Sequence, residues 1–155
     1  MLLHQPKQKG FTLIELLMVL AIVAILCAVS VPNYGRLVTR AKVAEGLALV
    51  GPVKAAVVEY YAVNGELPQA SNWLSLLKEL GLPLSTNSGA AAGSYVQRLW
   101  WNKAEQEIRI RYGVPPVDGG VLALQASLEA GRTSWRCYSP QQSIPAKYLP
   151  TLCQG

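Results

Sequence analysis

The chain has 155 residues, 51% of them apolar, with 14 Lys and Arg against nine Asp and Glu, giving a net charge of +5. This length holds one ordinary domain, and the mild, scattered charge fits a solvated surface better than a nucleic-acid groove. The single histidine is His4 and the single aspartate is Asp118, and no G-x-S-x-G, G-x-x-x-x-G-K-[ST] or C-x-x-C pattern occurs, so the common hydrolase, nucleotide and metal chemistries lack their parts.

Residues 1–10 form a short leader whose charged side chains, Lys7 and Lys9, are both basic. The next twenty-one residues, 11–31, are apolar except for Thr12, Glu15 and Ser30. At about 1.5 Å per residue a helix of this run is roughly 30 Å long, the thickness of a bilayer's hydrocarbon core. The basic leader assigns the N-terminus to the cytoplasmic side. Two features are odd for a plain anchor. Glu15 lies one turn inside the run, where an ionised carboxylate is costly unless it stays near the interface or meets a positive partner. Gly10 precedes the apolar run, whereas a secretory signal peptide carries its small-residue cleavage site after it.

The stretch GFTLIELLMVLAIVAIL, with Gly10 before Phe11, Glu15 four residues after it and Pro32 closing the run, resembles the N-terminus of type IV pilins and the related pseudopilins. The resemblance implies that a membrane prepilin peptidase cuts between Gly10 and Phe11, that Phe11 is then N-methylated, and that the apolar helix stays on the mature chain. It implies a cytoplasmic leader (1–10), a transmembrane and assembly half of a spine helix (11–35) and a periplasmic or extracellular head (36–155). Without the leader, 145 residues remain, with twelve basic and nine acidic side chains, a net charge of +3 and no histidine.

Beyond Pro32 a helical pattern continues to Asn64-Gly65, a C-terminal stop. Leu37, Ala41, Ala44, Leu47 or Ala48, Ala55, Val58 and Ala62 recur at helical spacing as the apolar face, while Arg36, Arg40, Lys42, Glu45, Lys54 and Glu59 take the other faces. This predicts one long, gently bent helix over 11–64, broken or loosened at Pro32 and Pro52, where proline removes a donor. Pro32, Tyr34, Pro52 and Val57-Val58-Glu59-Tyr60-Tyr61 are similar to the spine of the larger type IVa pilins, and the resemblance implies that residues 24–32 unwind in the filament.

Residues 66–94 connect helix to sheet. Ser71 or Asn72 caps a short helical turn carrying Trp73, Leu74 and Leu77, Gly81-Leu82-Pro83 ends it, and the small, polar 85–94 reads as an exposed loop. Four strands follow, over 95–101, 108–112, 121–128 and 133–138, paired as two hairpins in one antiparallel sheet. The amphipathic half of the long helix covers the apolar face of that sheet. Trp100, Trp101 and Trp135 fall within the strand patterns, as core or sheet-face residues, with ligand stacking as the other reading.

Cys27 sits in the apolar run as a small hydrophobe. Cys137 and Cys153 lie in the outward part, in an oxidising compartment, and pair as a disulfide. Zinc is the competing reading, but two cysteines without a nearby histidine fall short of a structural site's four ligands. Trp135-Arg136-Cys137, Ala146-Lys147-Tyr148-Leu149-Pro150 and Cys153 are similar to the last strand and disulfide-bounded loop of type IVa pilins.

The fold class expected is α+β, a long N-terminal spine helix on a four-stranded antiparallel sheet closed by the disulfide-bounded loop. The resemblance implies a structural subunit rather than an enzyme, without cofactor or metal. Such a subunit resides in the inner membrane as a precursor and in an extracellular pilus, or fimbrium, when assembled. Its implied partners are copies of itself in a helical filament, the peptidase, the inner-membrane assembly machinery and, before assembly, membrane lipid. Glu15 would attract the Phe11 amine of a neighbouring subunit, and the filament would serve adhesion, twitching motility or DNA uptake. The alternatives are a minor pilin or type II secretion pseudopilin, and a membrane-anchored binding module for which 11–32 is only a tether. Arg98, Lys103, Arg109, Arg111, Arg132 and Arg136 lie in the head, and direct DNA binding would announce itself as salt-dependent affinity. Mass spectrometry of the chain from cells that hold the peptidase should find N-methylated Phe11 at the terminus; a chain still beginning at Met1 would refute the cut.

Overall fold

The computed structural model describes residues 10–83, 93–129 and 131–154, and the side chains of all of these except 29–33. The chain divides into two compact units, Met1–Gly35 and Arg36–Gly155. Helices α1 (Leu13–Leu49), α2 (Gly51–Asn64) and α3 (Trp73–Glu79) precede strands β1 (Val96–Asn102), β2 (Glu107–Tyr112), β3 (Val121–Glu129) and β4 (Arg132–Tyr138). Three single turns of 3-10 helix, Pro140–Gln142, Ala146–Tyr148 and Thr151–Cys153, complete the described elements.

The expected single helix over 11–64 is two. Pro52 has no N–H to donate, and the helix is interrupted at Val50, between α1 and α2. The ladder is picked up again at once, since Val50 N–H donates to the Gly46 carbonyl at 3.3 Å and Lys54 N–H to the Val50 carbonyl at 2.9 Å. Pro32, expected as a second break, lies inside α1, whose helical assignment runs through it; a proline within a long helix deletes one rung and leaves its neighbours. Among the described residues no helix is long and apolar enough to cross a membrane. The expected span from 11 to 35 includes residues 29–33, whose side chains lie outside the described set. Most of the expected loop over 85–94 lies outside the described residues.

The apolar face of the helix differs in register from the one expected. Of the expected face, Ala44 and Leu47 are half-buried, Leu47 packing on the core, but Leu37, Val58, Ala41, Ala48, Ala55 and Ala62 are exposed, while Thr39, Val43, Gly46, Val50, Val53 and Val57 are buried. Both sets keep helical spacing. The valine set wins because a valine removes more apolar area from water than an alanine, and burial scales with that area.

Against this stripe lies a sheet of order β1-β2-β3-β4, every pair antiparallel. Ile108, Ile110 and Tyr112 of β2 and Leu122 and Leu124 of β3 are 0–1% exposed and form the inner face with Val96 and Trp101 of β1. Register couples them in rows, Trp101 with Ile108 and Leu124, and Leu99 with Ile110 and Leu122. Gly131 turns the β3–β4 hairpin with φ of 74°, a left-handed conformation that suits glycine. The caps expected at Ser71 or Asn72 resolve to Asn72, whose side chain accepts from Ser75 N–H at 2.9 Å while Ser75 Oγ accepts from Asn72 N–H at 3.0 Å. Trp101 is held by its ring N–H, which donates to the Ala70 carbonyl at 3.0 Å.

One polar contact fixes the helix over the sheet. The Tyr112 hydroxyl, fully buried, donates to the Val43 carbonyl at 2.6 Å. Gly46 makes that approach possible, since a Cβ there would meet the Tyr112 hydroxyl and lie 2.9 Å from the Ile110 side chain. Gly35, by contrast, has open space around it. Gly46→Val should therefore destabilise the head by about 1–3 kcal/mol through overpacking, with Gly35→Ala close to neutral. Thermal unfolding of the full chain in detergent micelles measures both, and Tyr112→Phe should recover part of the Gly46→Val loss if the clash is with the hydroxyl.

Candidate functional site

The N-terminal segment carries its own cap. Gly10, Phe11 and Thr12 precede α1, and the Thr12 and Glu15 side chains close on each other around the helix start. Glu15 N–H donates to Thr12 Oγ1 at 3.3 Å, and Glu15 Oε2 accepts from both the Thr12 N–H at 2.9 Å and the Thr12 hydroxyl at 2.7 Å. This is the reciprocal Thr-x-x-Glu box, which satisfies backbone donors that a helix start leaves open. Glu15 Oε1 accepts no hydrogen bond among the described residues. A carboxylate in the first turn also lies at the positive end of the helix dipole.

Around this cap the described side chains of residues 10–28 are all exposed. Phe11 is 79% exposed, Leu13 81%, Ile25 67% and Val23 48%. Cys27, also exposed, is a free thiol. A surface of this kind, apolar on every side and broken by one carboxylate, is a binding surface for lipid tails or other apolar helices rather than for water.

In the head, the tail folds back onto the sheet. Cys137 at the end of β4 and Cys153 in the last 3-10 turn form the disulfide, with Cα atoms 4.6 Å apart. Ile144 and Leu149 are buried beneath the loop. Ser139 Oγ accepts from Ile144 N–H at 2.9 Å and donates to the Val121 carbonyl at 3.1 Å, and Arg40 of α1 donates to the Lys147 carbonyl at 3.2 Å. Glu45, also on α1, accepts from the backbone N–H groups of Ser94 at 2.6 Å and Tyr95 at 3.3 Å, tying the start of β1 to the spine.

The outer face of the sheet carries an ion pair whose acid is fully buried and whose base is half-buried. Glu107 is fully buried, paired with Arg109 Nε, and accepts from the Tyr138 hydroxyl at 2.5 Å and from Asn102 Nδ2 at 3.3 Å. Three donors converge on one carboxylate, which is what a buried charge requires. The Glu107 carboxylate, followed by burial, pushes the Tyr138 phenol above its ordinary range, and burial followed by the Glu45 charge pushes up Tyr112.

Of the residues singled out in the sequence, Gly10, Phe11 and Glu15 sit together at the exposed start of α1, Pro52 is exposed near the start of α2, and Cys137 and Cys153 are bonded. The Pro32 side chain is outside the described set. Thr12, Glu45 and the Glu107–Tyr138 pair were missed. The T-L-I-E spacing is a readable signal for Thr12, whereas Glu107 and Tyr138 are 31 residues apart and only the sheet brings them together.

The pilin family of bacterial filament proteins matches residues 39–154, and the prokaryotic N-terminal methylation motif matches residues 5–31. Over 149 residues the chain is 36% identical to the fimbrial protein EcpC of Eikenella corrodens, covering 96% of this chain and 92% of that one. It is 30% identical over 175 residues to the type IV major pilin protein PilE of Neisseria gonorrhoeae, covering 95% of this chain and 94% of that one. A fimbrial protein of Neisseria meningitidis is 35% identical over 178 residues, with 95% and 94% covered.

Two measurements check these contacts. Thr12→Ala should cost the start of α1 about 1 kcal/mol, seen as faster amide exchange over the first turn. Tyr138 and Tyr112, with phenols raised in the folded state, keep their protons when the unfolded chain loses them, so their contribution to stability is complete below pH of about 10 and is lost as the pH climbs through the raised values. Alkaline unfolding should accordingly be less steep in Tyr138→Phe.

Proposed function

The chain belongs to the type IV pilin family, and from that premise we propose that it is the major subunit of its filament, cut between Gly10 and Phe11 by a prepilin peptidase, N-methylated at Phe11 and polymerised through its N-terminal helix. As a pilin it is a structural subunit of a pilus and not an enzyme. The word "major" in the names of relatives such as PilE supports the major over the minor role.

The observation that carries the assembly reading is the exposed apolar stretch over residues 10–28, whose one carboxylate, Glu15, is half engaged. Oε2 of Glu15 is occupied by Thr12 of the same chain, and Oε1 accepts no hydrogen bond among the described residues. Cleavage creates an ammonium at Phe11. Glu15 Oε1 of one subunit accepts the Phe11 ammonium of the next, while Thr12 holds the carboxylate in one rotamer. Neutralising the charge as it leaves water gives an association energy that the lone subunit lacks, and misregistered helices leave both charges buried and unpaired. Repeating one heterologous contact of this kind produces an open helical polymer.

Before assembly the same helix lies in the inner membrane, leader inside and head outside, and assembly exchanges lipid for neighbouring helices. The inner-membrane assembly machinery extracts the subunits, and the pilus that emerges serves surface adhesion, twitching motility or DNA uptake.

Glu15→Ala should leave the protein processed and membrane-inserted but reduce sheared surface fibres to about a hundredth or less, because breaking a buried pair costs roughly 3–5 kcal/mol. Normal fibres from that variant would remove the mechanism, and a head that keeps a binding activity without any polymer would favour a tethered binding module. Mass spectrometry of wild-type sheared fibres tests the major role, which requires this chain to be their predominant protein.

A further inference from the structure

Beyond polymerisation, we infer that the outer face of the sheet binds an acidic polysaccharide, its carboxylates held by Arg98, Arg111 and Arg136 and its hydroxyls by the uncharged polar side chains between them.

The placement follows from register. Arg98 and Arg111 stand opposite each other across β1 and β2, the next row pairs Trp100 with Arg109, and Arg136 of β4 sits opposite Gln125 of β3. Like charges directly opposite one another in a sheet are destabilising, yet Arg98 and Arg111 are both exposed, and among the described residues neither has a salt bridge to a carboxylate. The salt bridge found among the described residues is between Arg109 and Glu107, which leaves Arg98, Arg111 and Arg136 to meet a charge from outside. Two of the three are preorganised. The Arg98 guanidinium lies 5.9 Å from the Trp100 ring centre and that of Arg136 lies 5.8 Å from the Tyr138 ring centre.

The neighbouring groups select the kind of polyanion. Arg136 borders a shallow cavity of about 570 Å³ whose polar lining is Gln125, Ser127, Glu129 and Ser134, with Trp135, Cys137 and Leu152 as its apolar part. Amides, hydroxyls and a carboxylate bind sugar hydroxyls. A duplex carries a charge about every 1.7 Å, far denser than the three arginines of this face. From the Arg98–Arg111 pair to Arg136 the face spans roughly 16 Å, from strand spacing and rise, which suits sparse charges on a hydroxyl-rich chain.

The test uses the full-length chain in non-ionic detergent and fluorescent polygalacturonate as the probe, read by anisotropy, with neutral dextran and duplex DNA alongside. Saturable, salt-sensitive binding of polygalacturonate is expected, with little binding of dextran. Arg98→Gln with Arg111→Gln should weaken it about tenfold, the scale of losing charge-assisted hydrogen bonds. Lys78→Gln, the same charge change at the end of α3, should leave it unchanged. The inference is overturned if polygalacturonate does not bind, if dextran binds as well, if duplex DNA binds more tightly through the same arginines, or if Lys78→Gln weakens binding equally. None of these outcomes depends on fibre formation, so the assembly mechanism is tested separately.

Discussion

The head depends on the contact between the valine stripe of the spine and the inner face of the sheet. Val43, Val50, Val53 and Val57 supply the apolar area, and the Tyr112 hydroxyl bonded to the Val43 carbonyl supplies the register. Apolar burial alone is non-directional and would tolerate a helix slid or rotated by a small amount. A buried hydroxyl is less forgiving, because a shift leaves it unsatisfied in a dry interior. Gly46 is the third member of this arrangement, since the hydroxyl occupies the space that any larger side chain there would need.

The rest of the head is arranged around that joint. Glu45, one position before Gly46, receives the backbone at the start of β1, and Arg40 reaches the Lys147 carbonyl in the disulfide loop. A single stretch of α1 thus reaches the first strand, the middle of the sheet and the tail. The disulfide then closes the tail onto β4. On the opposite face of the sheet the Glu107, Arg109 and Tyr138 network joins β2 to β4 across β3, so both faces carry polar links between distant strands.

Much of this was legible in the sequence where the signal was local. The four strands fell within about a residue or two of their observed ends, the scale on which strand boundaries are ordinarily read, because Arg109 and Arg111 alternate with Ile108, Ile110 and Tyr112 and because turns separate the runs. The resemblance carried by GFTLIE and the cysteine-bounded tail led to the family. What was misread was the rotation of the spine. Alanine is apolar enough to mark a face and too small to decide one, and two stripes of helical spacing coexist between residues 37 and 62. The valines decide it, through area that a count of apolar positions does not weigh. The buried pair of Glu107 and Tyr138 was out of reach for another reason, since only the folded sheet puts them side by side.

The Thr12–Glu15 box has a further consequence. One oxygen of the carboxylate orders the beginning of the helix, and the other accepts no hydrogen bond among the described residues. Local order and outward charge are therefore properties of a single side chain, and the rotamer that serves one also aims the other. The two cannot be tuned apart at this position: replacing the acid would remove the charge and, with it, the cap that orders the first turn.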